Sequence, residues 1–203
     1  MLTLGKIIIQ IAEVIYKFVA LNILWLIFFL VGLGIFGFMP STVALFSIVR
    51  DWLRGDLDTS LFSRYLKYYK GEFVRSNILG VLFMILFYII YVNFSFVSYY
   101  YDESIQIYIY IIIAGFGTIL LMTFVNLFSV IAHFEYKIFQ YIKVAAGLVF
   151  LKPINTLFQL IWLVAYFIIA INHPTIFVVI GVSVFAFVLM SINYSTFKKL
   201  GAV

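Results

Sequence analysis

Five apolar tracts, none containing a charged residue, constrain this chain before any motif is considered. They run over Phe18–Met39, Ile78–Tyr101, Ser104–Ala132, Ile154–Asn172 and Thr175–Phe197. A helix needs about 20 apolar residues to cross a hydrocarbon core roughly 30 Å thick. Each tract meets that length, so the chain reads as an integral membrane protein.

Composition agrees. Only 10% of the 203 residues are charged, against about 25% in a soluble domain. The expected fold is a single all-α membrane domain over residues 1–203. It is a bundle of five transmembrane helices with amphipathic cytoplasmic elbow helices. Cysteine is absent, which excludes disulfides and thiolate-bound metals. The net charge of +5 suits membrane lipids with anionic headgroups. The basic residues flank the apolar tracts, so no nucleic-acid partner is expected. The first tract exceeds a signal-peptide core of about 7–15 residues, and no small-x-small cleavage site follows it. It is expected to stay as a helix.

Before that tract, Lys6, Gln10, Glu13 and Lys17 fall on one helical stripe, with Glu13 and Lys17 a favourable pair. This helix is expected to continue unbroken into the first span. Pro40 should end the span. A short helix over Ser41–Arg54 follows, with Gly55 in a helix-terminating position. Asp58, Thr59 and Ser60 offer N-caps for the next helix. That helix interleaves Leu61, Phe62, Tyr65, Leu66 and Phe73 with Arg64, Lys67 and Lys70, and leads into the second span near Asn77. Residues 41–77 thus form an elbow expected to lie on the membrane surface. Asp102 and Glu103, beside Tyr99, Tyr100 and Tyr101, form an interfacial turn. The segment His133–Lys152 repeats the elbow's style. Tyr65-Leu66-Lys67 with Gly71 is echoed by Tyr141-Ile142-Lys143 with Gly147. A span–elbow–span duplication would predict this echo, although aromatic amphipathic helices also converge on such patterns.

Basic residues tend to stay on the cytoplasmic side. Arg50, Arg54, Arg64, Lys67, Lys70 and Arg75 lie in the first elbow, Lys137, Lys143 and Lys152 in the second, and Lys198 and Lys199 in the tail. With five spans these share one face. The expectation is a multi-pass cell-membrane protein with its N-terminus outside and its C-terminus cytoplasmic. Lys6 and Lys17 conflict with it, and a re-entrant N-terminal segment would resolve them differently.

The string Gly32-Leu-Gly-Ile-Phe-Gly37 matches G-x-G-x-x-G. A dinucleotide site needs a strand before it and a polar helix start after it. Here the glycines sit in an apolar tract, where close backbone packing or a loosened helix end is the better reading. Gly115 and Gly117 read the same way. His133 and His173 fall on opposite membrane faces and cannot share a metal. Asn22, Asn93, Asn126, Gln159 and Asn193 lie in or near spans, where amides bond across helices or line a solute path. The absence of charge in the spans disfavours ion-coupled transport. No nucleophile–base set, Walker lysine loop or H-E-x-x-H occurs, so no catalytic, metal or cofactor residues are assigned. Asp51, Asp56 and Asp58, interleaved with Arg50 and Arg54, read as solvated ion pairs and caps.

Asn22-x-Leu24-Trp25, Phe38-Met39-Pro40-Ser41-Thr42-x-Ala44-Leu45, Arg50-x-Trp52-Leu53-Arg54-Gly55, Phe62, Phe73 and Arg75-Ser76-Asn77 make up a motif set over the first 80 residues or so. This set resembles the YesL-like family of bacterial multi-pass membrane proteins, a domain of unknown function. Ser41 stands where the family often has alanine. Beyond these residues the resemblance rests on length and span layout. It implies a small multi-pass protein, often encoded beside carbohydrate-uptake systems, and supplies no biochemical activity. The residues carried as family-motif, partner or lipid contacts are Asn22, Trp25, Pro40, Thr42, Arg50, Trp52, Arg54, Arg64, Lys67 and Asn77.

The resulting expectation is a non-catalytic accessory to carbohydrate uptake that meets a transporter through its basic elbow. Two other readings stand beside it. One is a carrier of a neutral solute with a cavity lined by Asn22, Asn126 or Gln159. The other is an interfacial lipid-active enzyme using Asp51 or Asp56.

Overall fold

The computed structural model describes residues 4–56 and 60–200. Its helices are α1 (Leu4–Val31), α2 (Ile35–Leu53), α3 (Leu61–Tyr100), α4 (Glu103–His133), α5 (Ile138–Leu151), α6 (Pro153–Asn172) and α7 (Pro174–Lys199). Five of these, α1, α3, α4, α6 and α7, are long and apolar enough to cross a membrane. The protein is all-α over the described residues, and the last four spans fall where the apolar tracts place them. Asp58 and Thr59, expected as caps, lie outside the described residues. Ser60 precedes α3, but its side chain makes no capping bond.

The first span ends earlier than expected. The chain turns at residues 32–34, where Leu33 and Gly34 adopt φ of 55° and 75°. Positive φ costs glycine little, and the Gly34 N–H donates to the Phe29 carbonyl at 2.9 Å. A Cβ on Gly32 would strike the backbone of Gly37, and a Cβ on Gly37 would strike the Phe29 carbonyl. The glycine string is therefore a backbone-on-backbone hairpin. Pro40 does not end a helix; it sits inside α2. It has no N–H to offer the Phe36 carbonyl. Asn77 Nδ2 donates to that carbonyl at 3.0 Å instead, and to Phe73 at 2.8 Å.

The elbow's first piece is also placed differently. Rather than lying on the surface, α2 is threaded through the core, with Met39 to Val49 all buried. It folds back along α1. Trp25 Nε1 donates to Thr42 Oγ1 at 3.1 Å, and farther along the Trp52 and Phe18 rings meet edge-on at 5.7 Å. The hydroxyls that made α2 look amphipathic close on their own helix: Ser41 on Gly37, Thr42 on Phe38 and Ser47 on Val43. Short polar side chains that bond the preceding turn enter an apolar interior with their hydrogen-bonding groups satisfied. Phe46 of α2 stacks on Phe128 of α4 at 5.6 Å.

Elbow and second span form one helix, as expected. At 40 residues, α3 is about 60 Å long. Tyr65, Tyr69, Ser76, Leu79 and Phe83 form its buried stripe, while Lys67, Lys70, Gly71 and Val74 are exposed. Past Phe83, α3 and the first half of α4 make a hairpin with most of its apolar side chains outward, as a lipid-facing surface would be. Phe83 and Phe87 pack on Phe124, and Phe94 on Tyr110. Gly115 and Gly117 are not close-packing sites within the chain. A Cβ on Gly115 would meet no neighbouring helix, and one on Gly117 would meet only an Ile90 methyl at 3.6 Å. The continuity of α1 through residue 17 holds, with Lys17 and Glu13 paired at 3.5 Å.

In the last span, Phe177–Gly181 forms a π turn. Asn22 of α1 explains it. A regular helix would bond the Val182 N–H to the Val178 carbonyl. The Asn22 amide stands between them, donating to Val178 at 2.6 Å and accepting from Val182 and Ser183 at 3.1 Å each. A side chain inserted into the ladder is a recognised cause of such bulges.

Candidate functional site at the joint of α2 and α3

The most concentrated polar chemistry lies where α2 ends. Gly55 adopts φ 86°. Its N–H bonds Trp52, and the N–H of Asp56 bonds Asp51, each at 3.0 Å. These are the two bonds of a Schellman termination, as the glycine's position predicted. The turn leads the chain toward the first turns of α3, where Arg64 and Tyr68 are one turn apart.

Asp51 lies at the centre and is 5% exposed. Its Oδ1 accepts from Arg50 Nε at 3.0 Å and Nη2 at 2.7 Å. Its Oδ2 accepts from the Tyr68 hydroxyl at 2.7 Å and from Arg64. Arg64 also forks onto Asp56, at 3.0 and 2.7 Å. Arg50 further donates to Tyr68 at 2.9 Å and to the Ala132 carbonyl. That carbonyl lies in the last turn of α4, where intrahelical donors run out and negative partial charge collects. One cluster therefore joins the ends of α2 and α4 to the start of α3, with two guanidiniums balancing two carboxylates. Asp56 first, and then Asp51, hold Arg64 as a cation more firmly than a free guanidinium, against the opposing effect of burial.

The solvated ion pair expected at Asp51 is thus corrected to a buried one, while Asp56 is exposed. Asp58 lies outside the described residues. Of the motif residues, Arg50 and Arg64 enter the cluster. Asn22, Trp25, Thr42, Trp52, Pro40 and Asn77 are the interhelical joints described above. Arg54 and Lys67 are exposed. Tyr68 carried no expectation, although its spacing of four from Arg64 on α3 was visible. The Ala132 carbonyl is 82 residues from Arg50, and no local pattern points to it.

The second elbow parallels the first. Tyr65 and Tyr141 are both fully buried. Each donates its hydroxyl to a backbone carbonyl, Ser41 at 2.7 Å and Phe134 at 3.1 Å. Arg75, paired with Glu72, lies 5.2 Å over the Tyr141 ring and joins the two elbows.

Three of the span amides bond one another, while Asn93 donates to the Ile89 carbonyl of its own helix. Gln159 Nε2 donates to Asn193 Oδ1, and Asn193 Nδ2 to Asn126 Oδ1, both at 2.9 Å. All three are buried. This is the interhelical packing use of amides. His133 packs on Phe197 with ring centroids 4.7 Å apart, toward one end of α7. His173 precedes the other end of α7. Among the described residues no three His, Cys, Asp or Glu gather as metal ligands.

A family model described as a protein of unknown function, DUF624, matches residues 18–94. The Bacillus subtilis protein YteU is 33% identical over 201 residues, spanning 98% of this chain and 88% of YteU. The chain belongs to the YesL-like DUF624 family. YesV, from the same bacterium, is 30% identical over 94% of this chain and 91% of YesV. YesL is 27% identical over 89% of this chain and 84% of YesL. The three relatives are described as uncharacterised proteins. No solved structure matches. Family likeness therefore reaches well past the first 80 residues, into spans whose amide and aromatic contacts offer no short motif to the eye.

Proposed function

We propose that this YesL-like protein is a non-catalytic membrane accessory to carbohydrate uptake, meeting a transporter through the exposed face of its elbow. The observation that carries the reading is the division of the elbow's cations. Arg50 and Arg64 are committed to Asp51 and Asp56, whereas Lys67 and Lys70 lie on the face of α3 opposite its buried stripe. Those lysines, with exposed Arg54, are available to an acidic surface. The link to carbohydrate rests on the setting that the family resemblance implies. Saturation of Asp51 by two arginines and a tyrosine favours a structural role over acid–base work, and the mutual pairing of Asn126, Gln159 and Asn193 favours packing over a solute path.

The hairpin of α1 and α2 also supports a cytoplasmic N-terminus in place of an external one. Because α2 returns along α1, the elbow lies toward the side from which α1 starts. Lys6 and Lys17 then join the other basic residues, and the conflict with the positive-inside rule disappears.

Crosslinking in native membranes tests the accessory role. The unchanged chain should capture a carbohydrate-transporter subunit, and Lys67→Glu with Lys70→Glu should reduce capture at least about ten-fold, the scale of close interfacial charge pairs. Arg64 is unsuitable for this test, because reversing it breaks the buried cluster. Failure of the unchanged chain to capture any transporter subunit would contradict the proposal.

A further inference from the structure

Three cavities run end to end along the seam between α6 and α7. The first, of about 330 Å³, has a mixed lining, with Lys152, Asn155, Thr196 and Lys199 on its walls beside Leu151 and Ile154. The second, of about 450 Å³, shares Asn155 and Ser195 with it and continues past Phe158 and Ile192 to Trp162. The third, of about 120 Å³, begins at Trp162 and runs on to Tyr166 and Ala170. From Asn155 to Ala170 along α6 is about 22 Å at 1.5 Å per residue. One groove is therefore cationic at its mouth and apolar for the rest of its length.

Among the described residues the mouth holds no countercharge. Neither Lys152 nor Lys199 pairs with a carboxylate among the described residues, unlike Arg50, Arg64 and Arg75. Lys152 is half-buried beside the opening, and Asn155 and Thr196, bonded to each other at 2.9 Å, form its floor. Both lysines belong to the face where the basic residues gather. That is the leaflet enriched in anionic lipids under the positive-inside reading. A free inorganic anion would use the mouth alone and leave the apolar continuation without a role.

We propose that this groove binds an anionic phospholipid, with its phosphate between Lys152 and Lys199 and an acyl chain along Phe158, Trp162 and Ile192. The proposal is independent of the accessory reading, because it concerns a different surface and needs no protein partner.

Trp162 provides the readout. The purified chain is placed in phosphatidylcholine nanodiscs containing either phosphatidylglycerol or phosphatidylcholine with brominated acyl chains, which quench nearby tryptophan. The Trp162→Phe variant identifies the groove's share of the signal. Each basic residue near the surface strengthens anionic-lipid binding about five-fold, so with two lysines brominated phosphatidylglycerol should quench this share at roughly twenty-five-fold lower mole fraction. Lys152→Gln with Lys199→Gln should bring the two lipids level. Lys137→Gln with Lys143→Gln, which removes the same charge elsewhere, should leave the preference in place. Equal quenching of the unchanged chain by both lipids would overturn the proposal without requiring any variant to fold. Relief of phosphatidylglycerol quenching by millimolar inorganic phosphate at constant ionic strength would overturn it in favour of a free-anion site.

Discussion

Asp51 shows how one residue can be read correctly in type and misplaced in depth. Its neighbours Arg50 and Arg54 made an ion pair legible, but nothing local revealed that α4 would end against it and exclude water. Removing one member of a buried charge cluster leaves the rest uncompensated, at a cost of about 3–5 kcal/mol. Asp51→Ala should therefore lower stability by about that amount, measured by denaturant unfolding in detergent. Arg64→Lys keeps the charge but loses the fork that reaches Asp51 and Asp56 together, so its loss should be smaller than that of Asp51→Ala. Stability unchanged in Asp51→Ala would show the cluster to be solvated after all. The motif residues carry a similar lesson. Asn22, Trp25, Thr42 and Asn77 stood out as candidate contacts, and in the fold their polar atoms are bonded to neighbouring helices.

Helix by helix, the legible parts are those set by local geometry. Gly55 ends α2 as its lack of a side chain dictates, and the elbow runs straight into the second span. Pro40 misled because the rule that proline ends a helix assumes an orphaned carbonyl. Asn77, 41 residues from Phe36, supplies the missing donor. Similarly, nothing in the last tract marks a π turn, because the cause is an amide from the first. The Asn22→Leu variant should leave Val178, Val182 and Ser183 without that partner, and each buried polar group left unpaired costs about 1–3 kcal/mol. Deleting Val179 in the same variant removes the extra residue of the π turn and should recover part of the loss. Helix content and melting temperature in detergent would report both effects. Equal stability of Asn22→Leu and the unchanged chain would mean that Asn22 does not maintain the turn.

At the scale of the molecule, the five charge-free tracts were enough to establish an α-helical membrane protein, because lipid thickness sets their length. They were not enough to order the chain across the bilayer. The sixth long element, α2, carries Arg50, Asp51 and several hydroxyls, so it does not read as a span; its burial depends on bonds that close only after folding. Whether α2 returns the chain to its starting side decides the topology and which basic residues the elbow shares its face with. The chain contains no cysteine, so single cysteines can be labelled without background. The decisive measurement is labelling of Lys6→Cys, Lys67→Cys and Leu200→Cys by a membrane-impermeant maleimide, before and after opening the cells. All three should be protected in intact cells and labelled after lysis. Labelling of Lys6→Cys in intact cells, with the other two protected, would contradict the re-entrant hairpin and restore an external N-terminus.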